Sequence, residues 1–444
     1  MLTSTYCERD KAFDSLFSGY DGAPFCIRLW DSWSWSSSPY DEPRCTLVFN
    51  SPNPMEALLI RPSEITLGEA FIVGDIDIKG DLLGAFDVTE HVFQCPQARR
   101  RKILETLSRI VFGIADWWNK GARHSLERDR SAISHHYDQP ADFYRLWLGE
   151  SLVYSCAYFQ SDHDDLALAQ ANKLELICRK LRLRPDHRFL DIGCGWGSLV
   201  LHAASQHNVY AQGITISQEQ ATVAASRIQA AQLTQSCRVD LLDYRKAPTC
   251  FAPFDEVASL GMFEHVGVQN LSAYFRTVHG LLKPGGVFLN HGIARAAFMQ
   301  GREETLAAKW IQPLLSQIPQ LRRAHNSSFL DKYVFPDGEL STISEALRAA
   351  ESAGFEVRDV ENLREHYERT LHCWLEAFQG NANHILRHVS EVTYRTWLLY
   401  MAGSAAAFRR GDIAVYQTLL SRPNHGESRL PLTRGDWYVP ASQD

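Results

Sequence analysis

The chain has 444 residues, 45% of them hydrophobic and 22% charged, an ordinary globular balance with room for about two to three domains. A net charge of −7 gives no global attraction to nucleic acid or anionic lipid, so any basic surface must be local. The ten cysteines include no CxxC pair, which signals neither a zinc site nor a redox dithiol. The N-terminus lacks the basic start and apolar run of a signal peptide. Nor does any stretch of about 18 apolar residues occur, so a reduced cytoplasmic setting is expected.

Residues 1–96 read as a small β-rich domain, with strands expected at 25–30, 45–50 and 64–72. Trp33 and Trp35 fall in a loop, either as exposed anchors or as a packed hairpin tip. Residues 97–130 carry nine Lys or Arg against four acids, and Ile103, Leu107, Ile110, Ile114 and Trp117 recur at helical spacing. An amphipathic linker helix follows, suited either to an anionic membrane surface or to packing between domains. From 131 to 444, apolar runs at 188–192, 208–214, 238–242, 255–260 and 286–293 alternate with helical stretches such as 217–232 and 268–282. That alternation is an α/β pattern with a doubly wound, mostly parallel sheet.

The stretch Leu190-Asp191-Ile192-Gly193-Cys194-Gly195-Trp196-Gly197-Ser198 ends an apolar run in a glycine-rich turn before a helix. Missing Cβ atoms let a ligand lie against the backbone, and the helix start offers free N–H groups. A nicotinamide cofactor calls for an acid at the end of the second strand, but Gln212-Gly213-Ile214-Thr215-Ile216-Ser217 has none. Instead Ser217 is placed to cap a helix, and Asp243 with Tyr244 follows the third strand. That pair can bond and cover an adenine, or Asp243 can serve a turn.

With these motifs, the chain resembles the S-adenosylmethionine-dependent cyclopropane-fatty-acyl-phospholipid synthases and mycolic-acid methyltransferases. The likeness rests on Tyr154-Ser155-Cys156-Ala157-Tyr158-Phe159, Gly213-Ile214-Thr215-Ile216-Ser217, Met262-Phe263-Glu264-His265-Val266-Gly267, Asn290-His291-Gly292-Ile293 and His366-Tyr367, in that order. In the first domain, Leu67-Gly68-Glu69-Ala70-Phe71 resembles the additional domain of the phospholipid synthases. The resemblance implies a Rossmann-like class I methyltransferase domain behind that β-rich domain. It further implies cofactor contacts at Tyr154, Ser155, Gly193, Gly195, Thr215, Gln220, Asp243 and Tyr244.

The implied reaction adds a methylene to the alkene of a phospholipid acyl chain in a bilayer, and its cationic carbon needs a dry, aromatic-walled site and a base. Tyr158, Phe159, Phe263 and Tyr333 are candidate walls. As base the resemblance implies a bicarbonate ion held by Cys156, Glu264, His291, Tyr367 and the main chain at Ile293. A metal site from Glu264, His265 and His291 lacks a second carboxylate, so none is expected. A homodimer and peripheral membrane association are also expected, and no nucleic-acid partner. The alternatives are a lipid C-methyltransferase making a methyl branch, a small-molecule N-methyltransferase, and a lipid-binding module without catalysis. The long segment between Ile293 and Tyr333 carries an amphipathic pattern around Trp310 and Leu314, suited to a lid or a lipid-facing surface.

Overall fold

The computed structural model describes residues 2–55, 64–95, 139–296 and 340–438. The linker helix expected at 97–130, most of the segment expected to form a lid, and Tyr333 lie outside them. Among the described residues no helix is long and apolar enough to cross a membrane. The residues fall into two compact units.

The first unit holds the N-terminal residues together with Ala382–Ala406. Helix α1 (Leu2–Leu16) precedes strands β1 (Phe25–Arg28), β2 (Ser34–Ser36) and β3 (Cys45–Phe49). Helix α2 (Glu64–Ile72), β4 (Ile76–Gly80) and α3 (Leu82–Gln94) follow. The sheet order is β2-β1-β3-β4, with β1 and β3 parallel and the outer pairs antiparallel. Residues 64–72, expected as a strand, are helical. Leu67, Ala70 and Phe71 recur at helical spacing, and burial of Ala70 and Phe71 outweighs the β preference of the neighbouring branched residues. Trp33 and Trp35 are not exposed anchors: both are buried against Phe13, and Trp35 Nε1 donates to Asp14 Oδ1 at 3.0 Å.

The second unit carries a seven-stranded sheet. Helices α4 (Ala141–Leu148) and α5 (Leu166–Leu181) lead into β5 (Arg188–Ile192), α6 (Ser198–His207), β6 (Tyr210–Thr215), α7 (Gln218–Ala230) and β7 (Cys237–Leu241). Then come β8 (Phe254–Leu260), α8 (Leu271–Leu281), β9 (Leu282–Arg295), α9 (Ile343–Ser352), β10 (Glu356–Asn362), α10 (Arg364–Gly380) and β11 (Ile413–Ser421), while α11 (Glu391–Arg410), between α10 and β11, belongs to the first unit up to Ala406. The order β10-β11-β9-β8-β5-β6-β7 is parallel except for β11, which runs antiparallel to both neighbours. Ser217 caps α7 by accepting from Gln220 N at 3.3 Å, as its position predicts. The chain starts at the centre with β5, runs outward to β7, and returns through β8. Ligand-binding crevices of open α/β sheets form at such a reversal, at the carboxyl ends of the strands.

Candidate active site

At the carboxyl end of β5, Gly193, Gly195 and Gly197 all adopt positive φ (77°, 54° and 81°), which other residues reach only with strain. A Cβ at Gly195 would meet nothing within 4 Å, so the turn opens onto free space. Asp191, just before the turn, is buried, its Oδ1 has no hydrogen-bond partner among the described residues, and desolvation raises its pKa to about 7. This shelf suits a ligand with a cationic amine. Across it, Thr215 Oγ1 donates to Gln220 Oε1 at 2.8 Å, bringing together two expected cofactor residues. Asp243 accepts from its neighbour Arg245 through backbone and guanidinium, which holds its carboxyl below the usual range. The Tyr244 ring meets Tyr274 edge-on at 5.6 Å.

Glu264 lies in a single 3₁₀ turn (Phe263–His265) just past β8. Strand β8 stops at Leu260, opposite His291, so the Ile293 amide one step further has no β8 partner. Glu264 Oε1 accepts it at 2.7 Å. The Ile293 main chain is therefore engaged with Glu264. The other carboxyl oxygen and both His291 ring nitrogens are buried without a hydrogen-bond partner among the described residues. Burial sets their protonation: the Glu264 pKa rises to about 7, and His291 falls to about 3 and is neutral.

Cys156 is fully buried, its Sγ 3.8 Å from Leu363 O. Desolvation, the largest effect on it, pushes the thiol well above its usual range, so it stays protonated. Helix α10 stitches this loop in place: Thr370 Oγ1 accepts from Ala157 N at 3.0 Å and His366 Nδ1 from Phe159 N at 3.1 Å. Tyr367 lies on the same helix turn. Its ring packs 4.7 Å from Phe408 and 6.0 Å from Trp374. Leu363, four residues earlier, accepts from Tyr367 N and donates to Val415 O, and Val415 pairs with Ile293. Cys156, Tyr367, Ile293 and Glu264 thus hang on one chain of hydrogen bonds.

Three of the four candidate wall rings lie among the described residues, and each packs against protein neighbours. Phe159 is covered by the Arg369 guanidinium at 4.2 Å, Tyr158 stacks on His366, and Phe263 packs with Tyr274 and Phe275. The connected rings beside Ser155 and Cys156 are instead Trp147, Tyr154, Trp374 and Tyr367, with Tyr144 joining Tyr154 to Trp196. Trp147 and Trp374 stand on the buried faces of α4 and α10, a helical pattern that the sequence carries.

Lys173 is a site neighbour that motif reading passes over. It is fully buried on α5, and its Nζ donates to Ser155 Oγ at 2.6 Å. Desolvation lowers its pKa to about 7 against the pull of Cys156 and Asp191. A signal existed: Leu166, Ala169, Leu174, Ile177 and Leu181 form an apolar stripe at helical spacing, and Lys173 stands on it.

Comparison with known proteins adds lineage to this geometry. The sequence model of the mycolic acid cyclopropane synthetase family matches residues 124–418, and that of a domain of unknown function matches 12–94. A probable fatty acid methyltransferase of Pseudomonas putida is 37% identical over 417 residues, covering 94% of this chain and 96% of its own. The cyclopropane-fatty-acyl-phospholipid synthase of Escherichia coli K12 is 36% identical over 287 residues, 65% of this chain and 66% of its own. Among solved structures, a cyclopropane synthase from Mycobacterium tuberculosis has a TM-score of 0.57 at 32% identity, covering 66% of this chain and 97% of that one. A mycolic acid cyclopropane synthase complexed with SAH and CTAB gives the same four values.

Proposed function

The chain belongs to the mycolic acid cyclopropane synthetase family, and from that membership we propose a specific activity. It adds a methylene from S-adenosylmethionine across a cis double bond of an unsaturated phospholipid acyl chain, as a peripheral enzyme on the cytoplasmic membrane surface. The observation carrying this reading is the pair Glu264 and His291, buried at the carboxyl edge with unmet hydrogen-bonding capacity. Such atoms in a dry site cost free energy unless a ligand meets them.

When bound, S-adenosylmethionine supplies a sulfonium-activated methyl group. Gly193 and Gly195 would admit it, Tyr154, Ser155, Thr215, Gln220, Asp243 and Tyr244 would orient it, and Asp191 suits its amine. An alkene carbon that accepts a methyl leaves its neighbour cationic. Ring closure then requires one proton to leave the new methyl, its C–H electron pair forming the third ring bond. The faces of Tyr154, Tyr367 and Trp374 favour a cation by about 2 kcal/mol when water is excluded. The proton departs to an oxyanion, bicarbonate in this reading, which Cys156, Glu264, His291 and Tyr367 would hold. Ile293 contributes by fixing Glu264. Burial supports an anion there, because it favours the uncharged thiol, carboxyl and imidazole, all capable of donating.

A second reading keeps the cofactor and yields a methyl branch, and it is favoured by the near full-length relative described as a fatty acid methyltransferase. Labelled S-adenosylmethionine and unsaturated phospholipid vesicles decide between them. A mass gain of one methylene with loss of the alkene signal is expected. A methyl branch retaining unsaturation supports the second reading, and methylated amines or no transfer overturn both. Turnover in carbonate-free buffer should fall and return on adding bicarbonate; unchanged turnover removes bicarbonate from the account.

A further inference from the structure

Helix α5 turns Lys173 and Lys180 to one flank and Glu175 and Cys178 to the opposite one, since successive residues advance about 100°. On that second flank, α6 presents His202 and His207. Glu175 Oε2 accepts from His202 Nε2 at 3.0 Å and from His207 Nε2 at 3.1 Å. The ligand atoms of Cys178, His202 and His207 all lie within 4.8 Å of one another. Arg179 Nε holds the other Glu175 oxygen at 2.7 Å, fixing the carboxylate. Cys178 is fully buried and forms the floor; the two histidines and Glu175 are half-buried above it.

We propose that Glu175, Cys178, His202 and His207 bind a zinc ion that clips α5 to α6. One thiol, two imidazoles and one carboxylate make a four-donor set of borderline softness. It suits zinc, whereas magnesium and calcium take oxygen ligands only and copper(I) prefers thiolates. Tetrahedral bonds of about 2.0–2.3 Å separate ligand atoms by about 3.3–3.7 Å. The Nε2 to Oε2 distances already approach that range, and the Cys178 sulfur, within 4.8 Å of the histidine nitrogens, must close further on the set as the metal binds. The cysteine spacing signals no such site because two ligands come from each of two helices, and only their packing assembles the set.

The test uses the full chain, stripped with a chelator and titrated with zinc against a chromophoric competitor. A single equivalent should bind and raise Tm. Cobalt(II) should give a thiolate-to-metal band in the near ultraviolet and tetrahedral bands in the visible. Cys178→Ser should abolish the thiolate band. His207→Gln, at the half-buried end of α6, should weaken zinc binding roughly 100-fold with little change in the metal-free Tm. The proposal is overturned by absence of stoichiometric zinc uptake in the wild type, by cobalt binding without the thiolate band, or by unaltered affinity in His207→Gln.

Discussion

His291 is neutral and buried, with no hydrogen-bond partner at either nitrogen among the described residues, and in the proposed reaction it helps to hold the base. Replacing it with Gln should lower kcat by roughly 100-fold, about 3 kcal/mol, while the Kd for S-adenosylmethionine stays near the wild-type value. An equal loss of cofactor binding would contradict this division. Glu264 gives a pH signature. Its pKa is about 7 in the fold against 4.5 in the unfolded chain, so between those values the folded state holds a proton that the unfolded state has released. The stabilising contribution is complete below pH 4.5 and is lost as pH rises through 7. Glu264→Gln keeps an acceptor for the Ile293 amide and has no proton to lose. Its stability relative to wild type should therefore improve by roughly 2 kcal/mol between pH 5 and pH 8. Denaturant midpoints at both pH values measure it, and a parallel pair of curves refutes it. His291 titrates with the opposite sign, but it does so in both proteins and cancels from the comparison.

At the scale of elements, legibility followed locality. Strands β5 to β8 and helix α7 stand close to the expected spans because hydrophobic period and capping are local signals. Residues 64–72 misled because a nine-residue run is short enough for tertiary packing to overrule preference. The partnership of Glu264 with Ile293 was not readable, since it depends on where β8 stops beside β9. Lys173 went unmarked because a lone lysine carries no motif, although its place on an apolar stripe was visible. Strand β6 offers a test of packing at the cofactor turn. A Cβ on Gly213 would lie 2.8 Å from Cys194 Sγ and 2.9 Å from Val239 Cγ2. Gly213→Ala should cost about 1–3 kcal/mol and weaken cofactor binding, because Cys194 sits within the glycine turn. Adding Cys194→Ala should restore part of the loss; a wild-type Tm in the single variant would show that the strand yields freely.

At the scale of the whole molecule, the α/β class and the presence of an N-terminal β-containing unit were legible from alternation and turn chemistry. The return of the chain to that unit was not, because no local pattern marks it. Within the first unit, Arg395 on α11 donates to Phe71 O at 2.6 Å and Ile76 O at 2.8 Å, and its guanidinium covers the Phe71 ring at 4.3 Å. Arg395→Met should lower the thermal transition of that unit, since two buried carbonyls lose charged donors worth about 1.5–3 kcal/mol each. Proteolysis should then cut earlier within 64–80 than in the wild type, and identical cleavage kinetics would count against it.

That return governs how the gene can be shortened. Because Ala382–Ala406 is built into the first unit, the leading domain is not an appendage that can be trimmed away at one boundary. Cutting at residue 138 would leave a late helix stripped of the backbone it was shaped to meet, with Arg395 and the side of Gly403 that faces Phe86 newly wetted. A minimal catalyst made from this sequence would need either a redesigned face on that helix or the missing half supplied as a separate polypeptide.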